Sequence, residues 1–260
     1  TQVGADIDGE AANDNSGYSV SMSSDGTRVA IGAYRNDGNG SNSGHVRVYA
    51  ENGGTWYKVG QDINGEASGD ESGLSVSISA DGTRVAIGAS RNNGSGTDMG
   101  HVRVYGYYGY MGWAKVGLDI DGEATYDNSG YSVSMSSDGA RVAIGAWGND
   151  ANGSNSGHVR VYSESGGTWT KVGQDIDGAA TYDNSGWSVS MSSDGTRVAI
   201  GAPYNDDNST NAGHVRVYAE SGGTWTQVGA DIDGEAAGDE SGWSVSMSSD
   251  GTRVAIGAIM

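Results

Sequence analysis

Carboxylates recur at fixed spacing along this chain, and the third occurrence reads Asp119-Ile-Asp-Gly-Glu-Ala-Thr-Tyr-Asp127. Hard oxygen ligands at such close spacing are the kind that Ca²⁺ prefers. The segment does not match an EF-hand loop, because its third acidic position and its terminal Glu are out of register. Two interpretations stay open: a calcium site of another kind, or aspartates that cap the turn by accepting backbone N–H bonds.

Five such acidic segments occur, and they differ slightly, with Asn64 and Ala179 breaking the pattern in the second and fourth. Calcium is the only cofactor that the sequence indicates. The predicted ligands are the aspartates of these segments: Asp6, Asp8, Asp14, Asp62, Asp70, Asp119, Asp121, Asp127, Asp175, Asp177, Asp183, Asp231, Asp233 and Asp239.

Aromatic residues follow four of the acidic segments, at Tyr18, Tyr131, Trp187 and Trp243, with Leu74 at the remaining position. Tyr and Trp combine an apolar ring with a polar tip, which suits stacking on a sugar. We therefore predict these four residues as ligand-binding candidates. The alternative is that they pack between repeats.

Catalytic motifs are not evident in the sequence. It contains no nucleophile–base arrangement, no HExxH, no phosphate loop and no GxSxG. One His occurs in each of the first four copies, and the acidic residues also repeat, whereas an active site usually combines residues that occur once. We therefore predict that the chain is not an enzyme.

Near-identical copies of about 56 residues carry these groups. The copies span residues 1–56, 57–113, 114–169 and 170–225, and residues 226–260 begin a fifth that is partial. Repeats of this length are typical of propellers, solenoids and arrays, in which each unit buries its apolar face against a neighbour. We treat residues 1–260 as a single domain.

Each copy contains four segments that alternate polar and apolar residues, here called strands A to D. Asp25-Gly26 and Gly53-Gly54 are tight-turn pairs that join A to B and C to D. Four antiparallel strands per repeat predict an all-β propeller of about five blades, four complete and one split. A β-solenoid is the alternative. Residues 1–7 would supply a lone strand D, and residues 242–260 strands A and B.

The closing blade would lack strand C. The ring could close with a defective blade, belong to a larger ring, or take the missing strand from another chain, since unpaired strand edges favour such pairing. A homo-oligomer or larger assembly through this blade is thus one predicted partner arrangement. The predicted seam between the two ends would be the least stable part of the ring.

Charge divides between the two faces of the predicted ring. The D-to-A and B-to-C connections lie on one face and carry 25 of the 33 carboxylates, against Arg35 and Arg91. This acidic loop face is either a solvated surface or a recognition surface. The net charge of −19 argues against nucleic acid and anionic membranes as partners. No stretch is apolar enough to span a bilayer.

The motifs Ser-Gly-Tyr18-Ser-Val-Ser, Val29-Ala-Ile-Gly-Ala33 and Gly44-His-Val-Arg-Val-Tyr49 resemble FG-GAP repeats, the blades of integrin α-subunit heads. The Phe of FG is absent, and the Pro of GAP occurs once, at Pro203. The integrin calcium loop is also absent, since only Ser-Ser-Asp-Gly or Ser-Ala-Asp-Gly joins strands A and B. The resemblance implies a propeller with an adhesive or recognition role, secreted or at the cell surface.

Three functions follow from these observations. The leading hypothesis is a non-catalytic extracellular interaction or assembly module that recognises a protein or a glycan at the acidic loop face. The second is a calcium-dependent, lectin-like glycan binder. The third is a designed or consensus repeat propeller without a natural ligand, and the copy-specific residues Tyr34, Ser90, Trp147 and Pro203 argue against it.

Overall fold

The computed structural model describes residues 2–94 and 96–259, in 22 strands and one short 3-10 turn, Gly109–Met111. Successive side chains of a strand point to opposite faces of its sheet, and both faces pack on neighbouring sheets: in the strand Arg84–Ala89, Val85 and Ile87 lie in one core cluster and Ala86 lies in another. Within the described residues, no helix has the length and hydropathy needed to cross a membrane.

Four sheets and one partial sheet follow one another along the chain. The first contains β1 (Ser19–Met22), β2 (Arg28–Ala33), β3 (His45–Asn52), β4 (Thr55–Lys58) and β5 (Ile63–Asn64). The second contains β6 (Ser75–Ile78), β7 (Arg84–Ala89), β8 (His101–Tyr107), β9 (Trp113–Lys115) and β10 (Ile120–Asp121). The third contains β11 (Ser132–Met135), β12 (Arg141–Ala146), β13 (His158–Ser165), β14 (Thr168–Lys171) and β15 (Ile176–Asp177). The fourth contains β16 (Ser188–Met191), β17 (Arg197–Ala202), β18 (His214–Ser221), β19 (Thr224–Gln227) and β20 (Ile232–Asp233). The partial sheet contains β21 (Ser244–Met247) and β22 (Val254–Gly257).

All pairing within a sheet is antiparallel and sequential, so each sheet is a blade of strands A to D. Strand D is interrupted: in the first blade β4 and β5 pair separately with β3. The inner strands β1, β6, β11, β16 and β21 contact one another in that order and line one channel. This is the predicted propeller, with four complete blades and a partial fifth, and the solenoid alternative is wrong.

The turns between strands A and B use the predicted Asp-Gly pair. Gly26 has φ of 71°, and Asp25 accepts bonds from the Thr27 amide at 3.0 Å and the Ser23 hydroxyl at 2.7 Å. These bonds hold the pKa of Asp25 at about 2. The turn aspartates are therefore structural.

The hydrophobic core lies between blades. Val46, Val48 and Ile63 of the first blade pack on Val76 and Ile78 of the second, and the later blades repeat this arrangement. The second, third and fourth blades thus bury one face on their predecessor and the other on their successor.

Backbone contact between blades occurs where strand B ends. A Cβ atom on Gly32 would overlap the carbonyl oxygen of Gly73 in the next blade, and the Ser19 hydroxyl donates to that same oxygen at 2.7 Å. The contact recurs at Gly88, Gly145 and Gly201. Only glycine permits this approach, because any side chain would separate the blades.

Outer strands are joined by the tryptophans that open strand D. The indole of Trp113 donates to the carbonyl of Val59 in the preceding blade at 2.8 Å, and Trp169 and Trp225 repeat the bond. At the same end of the blade, Arg84 at the start of strand B donates to Gly139 O of the next blade at 3.1 Å. Side chains therefore join neighbouring blades both at the outer strand D and at strand B, which lies nearer the channel.

The two ends of the chain do not form a common blade. Residues 2–7 form no strand, residue 1 lies outside the described residues, and the carbonyl of Val3 accepts the indole bond of Trp56 in the first blade at 3.0 Å. The predicted strand D at the N-terminus is therefore wrong. Residues 2–7 form no ladder, and they are positioned by the bond from Trp56 and by the close approach of Gly4 to the Gly54 carbonyl.

The face of the first blade that points away from the second blade is apolar and exposed. Val20 and Met22 are 62% and 54% exposed, whereas their counterparts Val76 and Ile78 are 9% and 7% exposed against the preceding blade. Within the described part of the chain no blade covers this face, so the predicted seam is not formed. Pairing of the free edge with another chain stays a prediction.

The glycine contact yields a direct test. Gly145→Ala should lower the free energy of unfolding by about 3 kcal/mol, because the new Cβ would overlap the Gly186 carbonyl and force neighbouring blades apart. Gly257→Ala is the matched control, since Gly257 also ends a strand B beside a serine hydroxyl but faces no following blade. It should cost under about 1 kcal/mol. Urea unfolding measures the free energy of unfolding of both variants. Equal destabilisation by the two substitutions would contradict the importance of the contact between blades.

Candidate functional site

The first aspartate of the second to fifth acidic segments lies in an ion pair with its own blade. Arg103 forms two bonds to Asp119, both of 3.1 Å, and Lys115 donates to the same carboxylate at 2.7 Å. Burial raises the pKa of Asp119, but the Lys115 bond and the Arg103 charge outweigh burial and hold it below its usual value. Asp62, Asp175 and Asp231 occupy equivalent ion pairs.

Each of these arginines except the fourth also contacts a glutamate from the preceding connection, as Arg103 contacts Glu66. A histidine completes the group, so Glu66, His101 and Asp119 bring potential metal-ligating atoms within 4.8 Å of one another. A bound Ca²⁺ takes six to eight oxygen ligands, whereas this group offers two carboxylates, an imidazole and a guanidinium. The arrangement fits the arginine better than a calcium ion.

The fourth blade keeps the same arrangement with a different carboxylate. Ala179 stands where the other segments carry Glu, and Asp207 of the adjacent B-to-C loop joins His214 and Asp231 instead. Asp207 replaces the Gly or Ala of the other copies. A negative charge near Arg216 is thus kept, although a different loop supplies it. This indicates that the structure requires a carboxylate there.

Histidines at the start of strand C are buried in these groups. Burial lowers the pKa of His101, against the opposing influence of Asp119, so the imidazole is held neutral. Nδ1 of His158 and His214 has no hydrogen-bond partner within residues 2–94 and 96–259. The histidines are therefore part of the blade core.

The last aspartate of each segment is also structural. Asp127 is buried and accepts bonds from the Ala124 amide and the Asn149 side chain, both at 3.1 Å. Asp14, Asp70 and Asp183 bond Asn36, Asn92 and Asn205 in the same way, while Asp239 accepts from the Ala236 amide. These bonds fasten the D-to-A connection to the B-to-C loop.

The predicted calcium ligands therefore divide into separate environments. Asp6 is exposed and accepts a bond from Gln2 at 2.8 Å, and the other exposed members are Asp8, Asp121, Asp177 and Asp233. In each segment the first and last aspartates have different protein partners, as Asp119 and Asp127 illustrate. The turn-capping alternative accounts for the buried members, and calcium binding at the exposed ones stays a prediction.

The predicted ligand-binding aromatics meet at the mouth of the channel. Ring centroids of Tyr131 and Trp187 lie 4.7 Å apart, and those of Trp187 and Trp243 lie 4.8 Å apart. Tyr18 and Leu74 line the same channel, which measures about 480 Å³. The rings pack on one another and yet stay partly or fully exposed.

A second set of aromatics follows the repeated Gly-Ala at the end of strand B. Trp147 packs on Tyr131 and Trp187 at 6.1 and 5.9 Å, and Tyr204 packs on Trp187 at 5.8 Å. Tyr34 packs on Tyr18 at 4.7 Å in the first blade. Sequence reasoning did not select this set as a site. The signal that could have revealed it is the variation among otherwise identical copies.

A recess of about 200 Å³ opens in the second blade, where Leu74 and Ser90 replace the aromatic pair. Arg35, Arg91 and Glu71 line it, together with Tyr34, Asn128, Tyr131 and Trp147. Burial raises the pKa of Glu71 although both arginines oppose this. Arg91 Nε lies 3.4 Å from the Glu71 carboxylate.

The fold and these loops define a β-propeller of four-stranded blades with a ligand-sized opening at the channel mouth. The sequence profile described as FG-GAP repeat matches residues 7–49, 119–162 and 176–218, half of the chain. The chain therefore belongs to the FG-GAP repeat family, as its motifs predicted. No curated protein sequence matches it.

Solved propellers share the fold at low sequence identity. A structure named as a 6-phosphogluconolactonase from Bacteroides uniformis is 12% identical, with a TM-score of 0.63 over 94% of this chain and 64% of that one. A periplasmic gluconolactonase from Pseudomonas aeruginosa is 17% identical, with a TM-score of 0.59 over 92% and 64%. Hydrazine synthase from Kuenenia stuttgartiensis is 14% identical, with a TM-score of 0.58 over 92% and 60%. The chain thus spans less than two thirds of each.

The prediction that the chain is not an enzyme is contradicted by these comparisons, because two of the similar propellers are named as lactonases. Repetition of polar residues around a propeller does not exclude catalysis, since a site can be built from a few residues that differ among blades. At this identity the likeness shows the fold alone and assigns no reaction to this chain.

Calcium binding is tested by comparing two aspartates of one segment. If the exposed carboxylates are ligands, millimolar CaCl₂ should raise the melting temperature more than NaCl at matched ionic strength, and Asp121→Asn should reduce that rise. Asp119→Asn should instead cost about 2 kcal/mol with or without calcium, because it removes a carboxylate from Arg103. Calorimetry measures each, and equal stabilisation by NaCl would leave only charge screening.

Proposed function

We propose that this propeller is an extracellular interaction module that binds a glycan at the channel mouth of its loop face. The observation that carries the proposal is the group of partly exposed aromatic rings contributed by three neighbouring units: Tyr131, Trp147, Trp187, Tyr204 and Trp243. The extracellular setting rests on the family resemblance to integrin heads.

Variation among the copies supports recognition at this surface. The scaffold positions are nearly invariant from one copy to the next, whereas the pair of residues after Gly-Ala differs in each of the first four copies, with only Arg35 and Arg91 in common. They are Tyr34-Arg35, Ser90-Arg91, Trp147-Gly148 and Pro203-Tyr204. Packing alone would be satisfied by one residue type in every blade, so the differences indicate a surface shaped for a particular ligand.

Stacking chemistry supports a sugar as that ligand. Tyr and Trp present broad apolar faces with a polar tip, and a pyranose presents C–H groups on one face and hydroxyls at its rim. A row of rings with centroids under 5 Å apart forms a continuous apolar strip. Successive sugar residues of one chain can lie along such a strip.

The repeated carboxylates have a different part in this proposal. Most of the acidic groups of the loop face bond arginine, asparagine or backbone amides, and they position the loops around the mouth. The exposed Asp8, Asp121, Asp177 and Asp233 are the members available to a divalent cation. Calcium assistance of glycan binding is therefore a separate proposal, tested by adding and removing calcium during the binding measurement.

Mutation of the strip tests glycan binding. Cellohexaose, xylohexaose and mannohexaose, titrated calorimetrically with and without CaCl₂, should include at least one ligand. Trp243→Ala should weaken its binding about tenfold, because one stacking ring is lost. Tyr110→Ala removes a fully exposed aromatic from a turn on the opposite face and should leave binding unchanged. No binding by any glycan, or equal effects of both variants, would contradict the proposal.

A further inference from the structure

We propose that the recess in the second blade binds the carboxylate of an acidic sugar residue, a uronate, so that the ligand is an acidic glycan. This inference rests on the proposed glycan-binding function and adds the ligand's charge to it. The recess adjoins the aromatic strip, because Tyr131 lines the recess and also begins the strip.

The recess exists because the second blade departs from its neighbours. Where the first blade has Tyr18 and Tyr34, and the third has Tyr131 and Trp147, the second has Leu74 and Ser90. The smaller side chains leave about 200 Å³ between the flanking aromatics. That volume is below the 300–1,000 Å³ typical of drug-sized ligands, so it suits a single charged group and part of one ring.

The cations of the recess also occur only in these blades. Arg35 and Arg91 stand where the third and fourth blades carry Gly148 and Tyr204. Arg35 lies over the Tyr34 ring, 5.2 Å from its centroid, and no carboxylate is within ion-pair distance of it in residues 2–94 and 96–259. A guanidinium held by an aromatic ring offers a fixed fork of donors for a ligand carboxylate.

Two carboxylates near the recess offset the positive charge of its arginines. Glu71 pairs with Arg91, and Asp98 lies close enough to influence Glu71. Asn15, Asn128 and Asn184 occupy the position of Glu71 in the first, third and fourth segments, and the fifth segment shares the glutamate as Glu240. Glu71 therefore limits the affinity of the recess for an anion and keeps Arg91 oriented when no ligand is bound.

A uronate fits this surface better than an acidic peptide does. Beyond the recess the surface continues as Tyr131, Trp187 and Trp243, which present apolar ring faces and no backbone edge for a peptide strand. A uronate carries its carboxylate on a ring, and the next rings of the same glycan can lie on this strip. The glutamate side chains of an acidic peptide have no flat apolar face that could stack on the aromatic strip.

The experiment compares trigalacturonate with its methyl ester, which keeps the rings and loses the charges. Calorimetry should find the acid bound at least tenfold more tightly than the ester. Arg91→Gln and Arg35→Gln should each weaken binding of the acid about tenfold and leave binding of the ester unchanged. Glu71→Asn, which introduces the residue of the first, third and fourth segments, should strengthen binding of the acid severalfold because it removes a competing carboxylate.

Arg253→Gln is the matched control, since Arg253 is exposed and follows an A-to-B turn on the opposite face. It should change neither affinity. Equal affinity for acid and ester, or equal loss of both in Arg91→Gln, would overturn the inference, and binding of neutral hexaoses that depends on Trp243 would still support the proposed function. Binding of hexaglutamate with no binding of trigalacturonate would overturn it in favour of an acidic protein partner. Unchanged melting temperatures would show that the variants fold.

Discussion

Close backbone contact between neighbouring blades determines the rest of this structure. In the four complete blades, the end of strand B approaches a carbonyl of the next blade so closely that no Cβ fits, as Gly145 approaches Gly186. This spacing lets the valines and isoleucines of adjacent sheets interlock, and it places the inner strands around one channel. It also places the residues that begin those strands side by side, which is why the rings of Tyr131, Trp187 and Trp243 are under 5 Å apart.

Repeated and unrepeated polar residues have different parts in this molecule. The repeated ones, such as Arg103 with Asp119 and Asn149 with Asp127, bond one another and shape the loops. In the fourth blade Ala179 replaces the usual Glu, and Asp207 supplies the carboxylate in its place. This substitution indicates that the fold requires a carboxylate at this point. Unrepeated residues such as Arg35, Trp147 and Tyr204 lie at the channel mouth and differ in charge and size. The scaffold thus repeats while the proposed recognition surface does not.

Much of the fold was predictable because strand alternation and Asp-Gly turns are local signals. The partners of the aspartates were not predictable in this way, since spacing within a segment does not reveal that Asp119 meets Arg103 of an earlier strand. The strand predicted for residues 1–7 failed because alternation cannot supply a pairing partner. The prediction that the chain is not an enzyme failed for another reason. It assumed that repeated residues would form any active site, whereas a few residues that differ among the copies can form an active site.

Tryptophan resonances offer the most direct measurement of where a ligand binds. The chain has seven tryptophans. The indoles of Trp56, Trp113, Trp169 and Trp225 bond carbonyls of the preceding outer segment, and Trp147, Trp187 and Trp243 lie at the channel mouth. In a nitrogen-15 spectrum titrated with trigalacturonate, the indole signals of the three mouth residues should shift and the other four should not. Shifts confined to the four outer indoles, or none at all, would contradict recognition at the channel mouth.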